Sequence, residues 1–184
     1  MAYGTGYLTG YTDIMTVLTP DLFWLTGQVV LDCVCTSLTA ESECGCPCRK
    51  GVVLGQPVWD SCCPDGQLTI FLDRVYVHAN FPAQEAGPIF CSSPLAGEFT
   101  VQLIRCVPTV KDDGTPPTME ELSESARKIY QDMYIAYKSV ICCLAASKRY
   151  RKFVMRDART VGPQGGCAGF EIRFGIELHD PMPI

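Results

Sequence analysis

Apolar residues between positions 118 and 146 recur every three or four places: Met119, Leu122, Ala126, Ile129, Met133, Ala136/Tyr137, Val140, Ile141 and Leu144. That spacing lines one side of a helix, and a stripe so long needs a sheet to cover. The start of this helix is well marked. Pro116 and Pro117 prevent upstream extension, Thr118 and Glu121 have the spacing of a capping box, and Glu120 adds negative charge near the positive end of the dipole. Lys148, Arg149, Arg151 and Lys152 place positive charge at or beyond the other end. A second amphipathic pattern begins at Thr19 and Pro20, a cap and a first helical residue. Leu22, Leu25, Val29, Val30, Cys33, Val34 and Leu38 carry it to about Ala40, with Gly27 as a weak point.

Elsewhere the period is two. Residues 67–80 read as a strand with a bulge near Asp73 and Arg74, 98–108 as a second strand and 151–158 as a third. In 170–179, Phe170, Ile172, Phe174, Ile176 and Leu178 alternate strictly with Glu171, Arg173, Gly175, Glu177 and His179, so one face is apolar and the other charged. The order helix, strand, strand, helix, strand, strand predicts an α+β fold: an antiparallel sheet of about four strands packed with two helices. Long loops rich in Cys, Pro and Gly fill 41–65 and 81–97, where Trp59 is the expected anchor of the first. Residues 1–12, with Tyr3, Tyr7 and Tyr11 among glycines, read as an arm, and 13–184 as a single domain.

A net charge of -5 over 184 residues argues against generic binding to nucleic-acid phosphates. The basic run Lys148, Arg149, Arg151, Lys152, Arg156 and Arg159 reads as a solvated strand face or a contact with an acidic neighbour. No apolar run reaches the length expected of a membrane span, and the amino terminus lacks the basic and apolar regions of a signal peptide. The expectation is a protein neither anchored in a membrane nor exported by a conventional route. Its 12 cysteines sit uneasily with that. Three readings compete: disulfides formed in an oxidising exterior after assembly, buried free thiols, or a thiolate metal site in which Cys44 and Cys48 have tolerable spacing. The adjacent pairs Cys62-Cys63 and Cys142-Cys143 point their side chains apart and are not expected to bridge internally.

Candidate chemistry is thin. His78 and His179 have no spaced nucleophile or carboxylate partner. The glycines between 162 and 169 lack the Lys-Ser/Thr ending of a phosphate loop and lead into a strand, which favours a hairpin turn or subunit-contact loop. Capping and solvation account for Glu120-Glu121 and Asp112-Asp113. The expectation is no enzyme, no catalytic residue and no cofactor.

Several pieces gain meaning as an ordered set: Cys46-Pro47-Cys48-Arg49, Pro57-Val58-Trp59-Asp60-Ser61-Cys62-Cys63, Gly66-Gln67-Leu68, Phe81-Pro82, Arg105-Cys106-Val107-Pro108, Pro116-Pro117-Thr118, and Gly162-Pro163-Gln164-Gly165-Gly166-Cys167-Ala168-Gly169. Over about residues 20–180 they resemble a neck or tail-completion protein of long-tailed phages that infect actinobacteria, most like the tail terminator type. The resemblance implies an α+β structural virion protein, assembled in the host cytoplasm, whose hexameric ring ends tail-tube polymerisation. Its implied partners are further copies of itself, the tail tube protein and the head-to-tail connector proteins, with no membrane and with DNA passing the lumen without specific binding. A head-to-tail stopper or adaptor ring is the nearest alternative; a cysteine-dependent enzyme or zinc-binding module is more remote. Expected contact residues are Tyr3, Tyr7, Tyr11, Trp59, Phe81, Phe90, Arg151 and Arg156.

Overall fold

The structure, a computed structural model, describes residues 21–59, 66–84, 88, 93–147 and 150–178, apart from the side chain of Arg151. The expected arm, the cap at Thr19 and Pro20, and Asp60, Cys62, Cys63, Phe90, Cys91 and His179 lie outside that set. The elements are α1 (Leu22–Glu41), β1 (Arg49–Val53), β2 (Gln67–Val77), β3 (Leu95–Cys106), α2 (Met119–Ala146), β4 (Tyr150–Gln164) and β5 (Cys167–Leu178).

The α+β class is as the sequence predicts, but the sheet is larger and mixed. Its order is β1-β2-β3-β5-β4, with β1 parallel to β2 and every other pairing antiparallel. The extra strand β1 lies inside what the sequence presents as the 41–65 loop. Its five residues, Arg49-Lys50-Gly51-Val52-Val53, have two cations and a glycine and no alternation, so the period-two signal is missing. What builds it is pairing with β2. The bulge expected near Asp73 is present as a register shift between Leu72 and Arg74.

Both helices lie on one face of the sheet. Leu68 and Ile70 of β2, Phe99, Val101 and Leu103 of β3, and Phe170, Ile172, Phe174, Ile176 and Leu178 of β5 form the core with Val30, Val34 and Leu38 of α1 and Ile129, Ala136, Val140 and Leu144 of α2. Phe99 and Phe174 are register partners and stack with ring centroids 5.3 Å apart. Gly27 is less a weak point than a close approach. A Cβ there would sit 2.9 Å from both methyls of Val52, so glycine lets α1 settle on β1. By length and composition α1 is apolar enough to cross a membrane, with mean hydropathy 1.4, contrary to the expectation of no such run. Here one side of it is spent on the core instead.

Disulfides tie the helical layer together. Cys33–Cys143 joins α1 to α2, and Cys35–Cys46 pins the chain leaving α1 back onto that helix. Cys106 of β3 and Cys167 of β5 each take part in a disulfide as well.

Candidate functional site

The face of the sheet turned away from the helices carries most of the charge, and the alternation of the strands puts it there. Residues paired across strands share a face, so Glu171 and Glu177 of β5 stand beside Gln102 and Ala96 of β3 and beside Arg159 and Lys152 of β4. Glu171 is the hub. It accepts hydrogen bonds from Gln102 Nε2 at 3.0 Å and from Arg159 at 2.8 and 3.1 Å, with Arg173 at 3.9 Å. Trp59 Nε1 donates to Oε1 of the Gln102 side chain at 3.2 Å, extending the chain of polar contacts to the 54–59 segment.

Further along the same face, Glu98 is bridged by Arg74 at 2.8 Å and Arg156 at 3.0 Å. The Arg74 guanidinium, then burial acting in opposition, then Arg156 set the Glu98 carboxyl, and the balance lies below the ordinary glutamate value. Arg159 is held further on its charged side by Glu171. Burial raises the Tyr76 phenol, whose hydroxyl donates to the Pro82 carbonyl at 3.1 Å. Glu177 lies 3.7 Å from His78 Nε2 and 3.8 Å from Lys152 Nζ. His78 is fully buried, edge-on to Tyr76 and Phe81, and Phe81 also lies over Gly175. This arrangement is a packed polar interior under two loop segments. A histidine so enclosed has no room for a substrate.

On the helical side, Arg105 at the end of β3 forms a buried ion pair with Asp132 of α2, at 2.9 and 3.0 Å. Arg105 also donates to the Gly45 carbonyl, and the Ser42 hydroxyl donates to Asp132. Two buried charges are thereby satisfied, and the turn after α1 is fixed to strand and helix at once. A groove of about 500 Å³ between α1 and α2 is lined by Asp32, Thr36, Ser37, Lys138, Cys142 and the Cys33–Cys143 disulfide.

The amino-terminal turns of α2 are different. The capping box forms as expected: Thr118 Oγ1 accepts from the Glu121 amide at 3.1 Å, and the Glu121 carboxylate accepts from the Thr118 amide at 2.7 Å. Glu124 is held down at about 2 by its hydrogen bond with Arg127, which also bridges to Glu43. Yet this well-formed end runs past the sheet. Met119 is 75% exposed and Leu122 38%, so the expectation that the whole stripe is core holds only from Ile129 onward; Tyr130 at 56% and Tyr134 at 68% stand on the solvent side of the helix, beside the buried Ile129 and Ile135. At about 100° per residue these four side chains fall within roughly a third of the helix circumference.

The expected contact residues scatter. Tyr3, Tyr7, Tyr11 and Phe90 are outside the described residues, as is the side chain of Arg151, whose backbone is in β4. Trp59 and Phe81 are drawn inward against the charged sheet face, and Arg156 is bonded to Glu98. Cys44 and Cys48 are exposed, and Cys46 between them is committed to Cys35. Among the described residues no group of three or more His, Cys, Asp or Glu is placed to hold a metal ion. The glycines at 165 and 166 form the tight turn between β4 and β5, both with positive φ, and Gly166 accepts from the Val107 amide at 2.9 Å. Sequence reasoning missed the Glu171 hub and the Arg105–Asp132 pair. A glutamate in strict alternation gives no hint that its face is covered, and the ion pair joins residues 27 positions apart. No protein-family model matches the chain, and comparison with curated proteins finds no relative.

Proposed function

We propose that this chain is a structural virion protein, a tail terminator whose ring caps the tail tube of a long-tailed phage and joins it to the head-side connector. The observation that carries the reading is the row of uncovered side chains along one side of α2, Met119 and Leu122 on its first turn and Tyr130 and Tyr134 farther along. A rigid, capped helix end that holds apolar side chains in water is suited to a protein contact. The rest of the fold supports the same role. Loops that could have been mobile are fastened by Cys35–Cys46 and by Trp59, which suits a subunit that must keep one shape under axial load. The ordered motifs resembling neck proteins supply the identity of the assembly; in it the subunit contacts further copies of itself, the tail tube and the connector. Its surfaces, and no reactive centre, perform the task.

The test is native mass spectrometry or light scattering of the purified protein, with localisation of the subunit in purified virions. A closed oligomer of about six copies and density at the head-proximal end of the tail tube are expected. A strictly monomeric protein that is absent from purified particles would overturn the proposal.

A further inference from the structure

Charge is segregated on this molecule. Around the free end of α2, the exposed acids Asp112, Asp113, Glu120, Glu121, Glu124 and Glu43 outnumber the cations Lys111, Arg127 and Lys128. On the opposite face of the sheet the arrangement is layered. Glu171 and Glu177 lie beneath with side chains 5% exposed, while Lys152, Arg156, Arg159 and Arg173 keep 37 to 56% of theirs in water. Asp157 at the β4 bulge is an exposed acid among them. The surface therefore meets a partner as a row of guanidinium and ammonium heads, although each has a carboxylate near it.

We infer that the projecting end of α2 docks on the basic heads of β4 and β5 in a second copy of this chain. The inference rests on the ring reading above and names the two surfaces of its contact. Carboxylates of one copy meet cations of the next, and Tyr130 and Tyr134 supply ring faces over which arginine heads stack. The two surfaces lie on opposite sides of the sheet, so the contact is head-to-tail and repeats until it closes. Edge-to-edge continuation of the sheet is the competing geometry. Its two outer strands, β1 with Arg49 and Lys50 and β4 with Lys152, Arg156 and Arg159, both carry positive charge and repel each other.

Charge reversal tests this without knowledge of any other protein. Asp112→Lys/Asp113→Lys/Glu120→Lys alters only exposed residues, and Lys152→Glu/Arg173→Glu leaves the closer Arg159–Glu171 bonds in place. Each variant alone is expected to run as a monomer by native mass spectrometry at concentrations where the wild type is oligomeric. Mixed in equal amounts, they are expected to regain an oligomer with the two chains in equal number. Circular dichroism checks folding. If the second variant does not fold, Tyr130→Ala/Tyr134→Ala decides, with at least tenfold weaker self-association expected. Either reversal alone keeping the wild-type mass, two folded variants failing to associate when mixed, or unchanged association of the tyrosine variant overturns the inference while leaving a ring built otherwise. A monomeric wild type overturns the ring reading as well.

Discussion

Asp132 offers the sharpest test of how the helical layer is fixed to the sheet. Its side chain is 2% exposed and that of Arg105 8%, so both charges are out of water. Asp132→Ala would take from the buried Arg105 guanidinium the carboxylate it pairs with, and from the Ser42 hydroxyl its acceptor, although that hydroxyl still accepts from the Cys44 amide. Breaking one side of such a pair costs about 3–5 kcal/mol, a large share of the roughly 5–15 kcal/mol that holds a domain folded. Replacing both members with apolar residues of similar bulk, Arg105→Met/Asp132→Leu, removes both buried charges together with their desolvation cost. The double variant is therefore expected within about 1 kcal/mol of wild type, or above it. Urea denaturation of the oxidised protein, followed by tryptophan fluorescence, measures both. A loss below about 1 kcal/mol for the single variant, or a double variant as unstable as the single, would refute the account.

Three further outcomes follow from the same geometry. Cys33→Ser/Cys143→Ser opens a cross-link with a sequence separation of 110 and is expected to lower stability by up to about 4.7 kcal/mol; a denaturation midpoint unchanged in the variant argues against that constraint. The folded-state value of Glu98 lies below its unfolded one, so its contribution is fully present above the ordinary glutamate range and is lost as pH falls through the folded value. Glu98→Gln should flatten the urea midpoint against pH between about 5 and 3, and identical slopes would count against the Arg74 and Arg156 bridges. Gly27→Ala, which elsewhere in a helix would gain about 1 kcal/mol, is expected to destabilise because the new methyl meets Val52 at 2.9 Å; adding Val52→Ala should recover the loss in thermal melts.

Much of the fold is written in local periodicity. The α2 pattern, its capping box, the β2 bulge and the alternation of β5 each depend on neighbours within a few residues, where spacing alone fixes which side a group faces. β1 escaped because a five-residue edge strand is defined by the partner it lies against. The candidate contact surface was half legible. Met119 and Leu122 belong to the right stripe, but periodicity cannot tell where the sheet beneath a helix ends.

What the sequence by itself determined, then, is the class of the fold, the faces of its elements and the position of its turns. Only the tertiary structure decided which of those faces are covered. It drew Trp59 and Phe81 inward, buried Glu171 beneath Arg159, joined Cys33 to Cys143, and left the first turns of α2 standing in water. The reason is physical: facing is set by bond geometry along the chain, whereas burial depends on which distant segment arrives to displace the water.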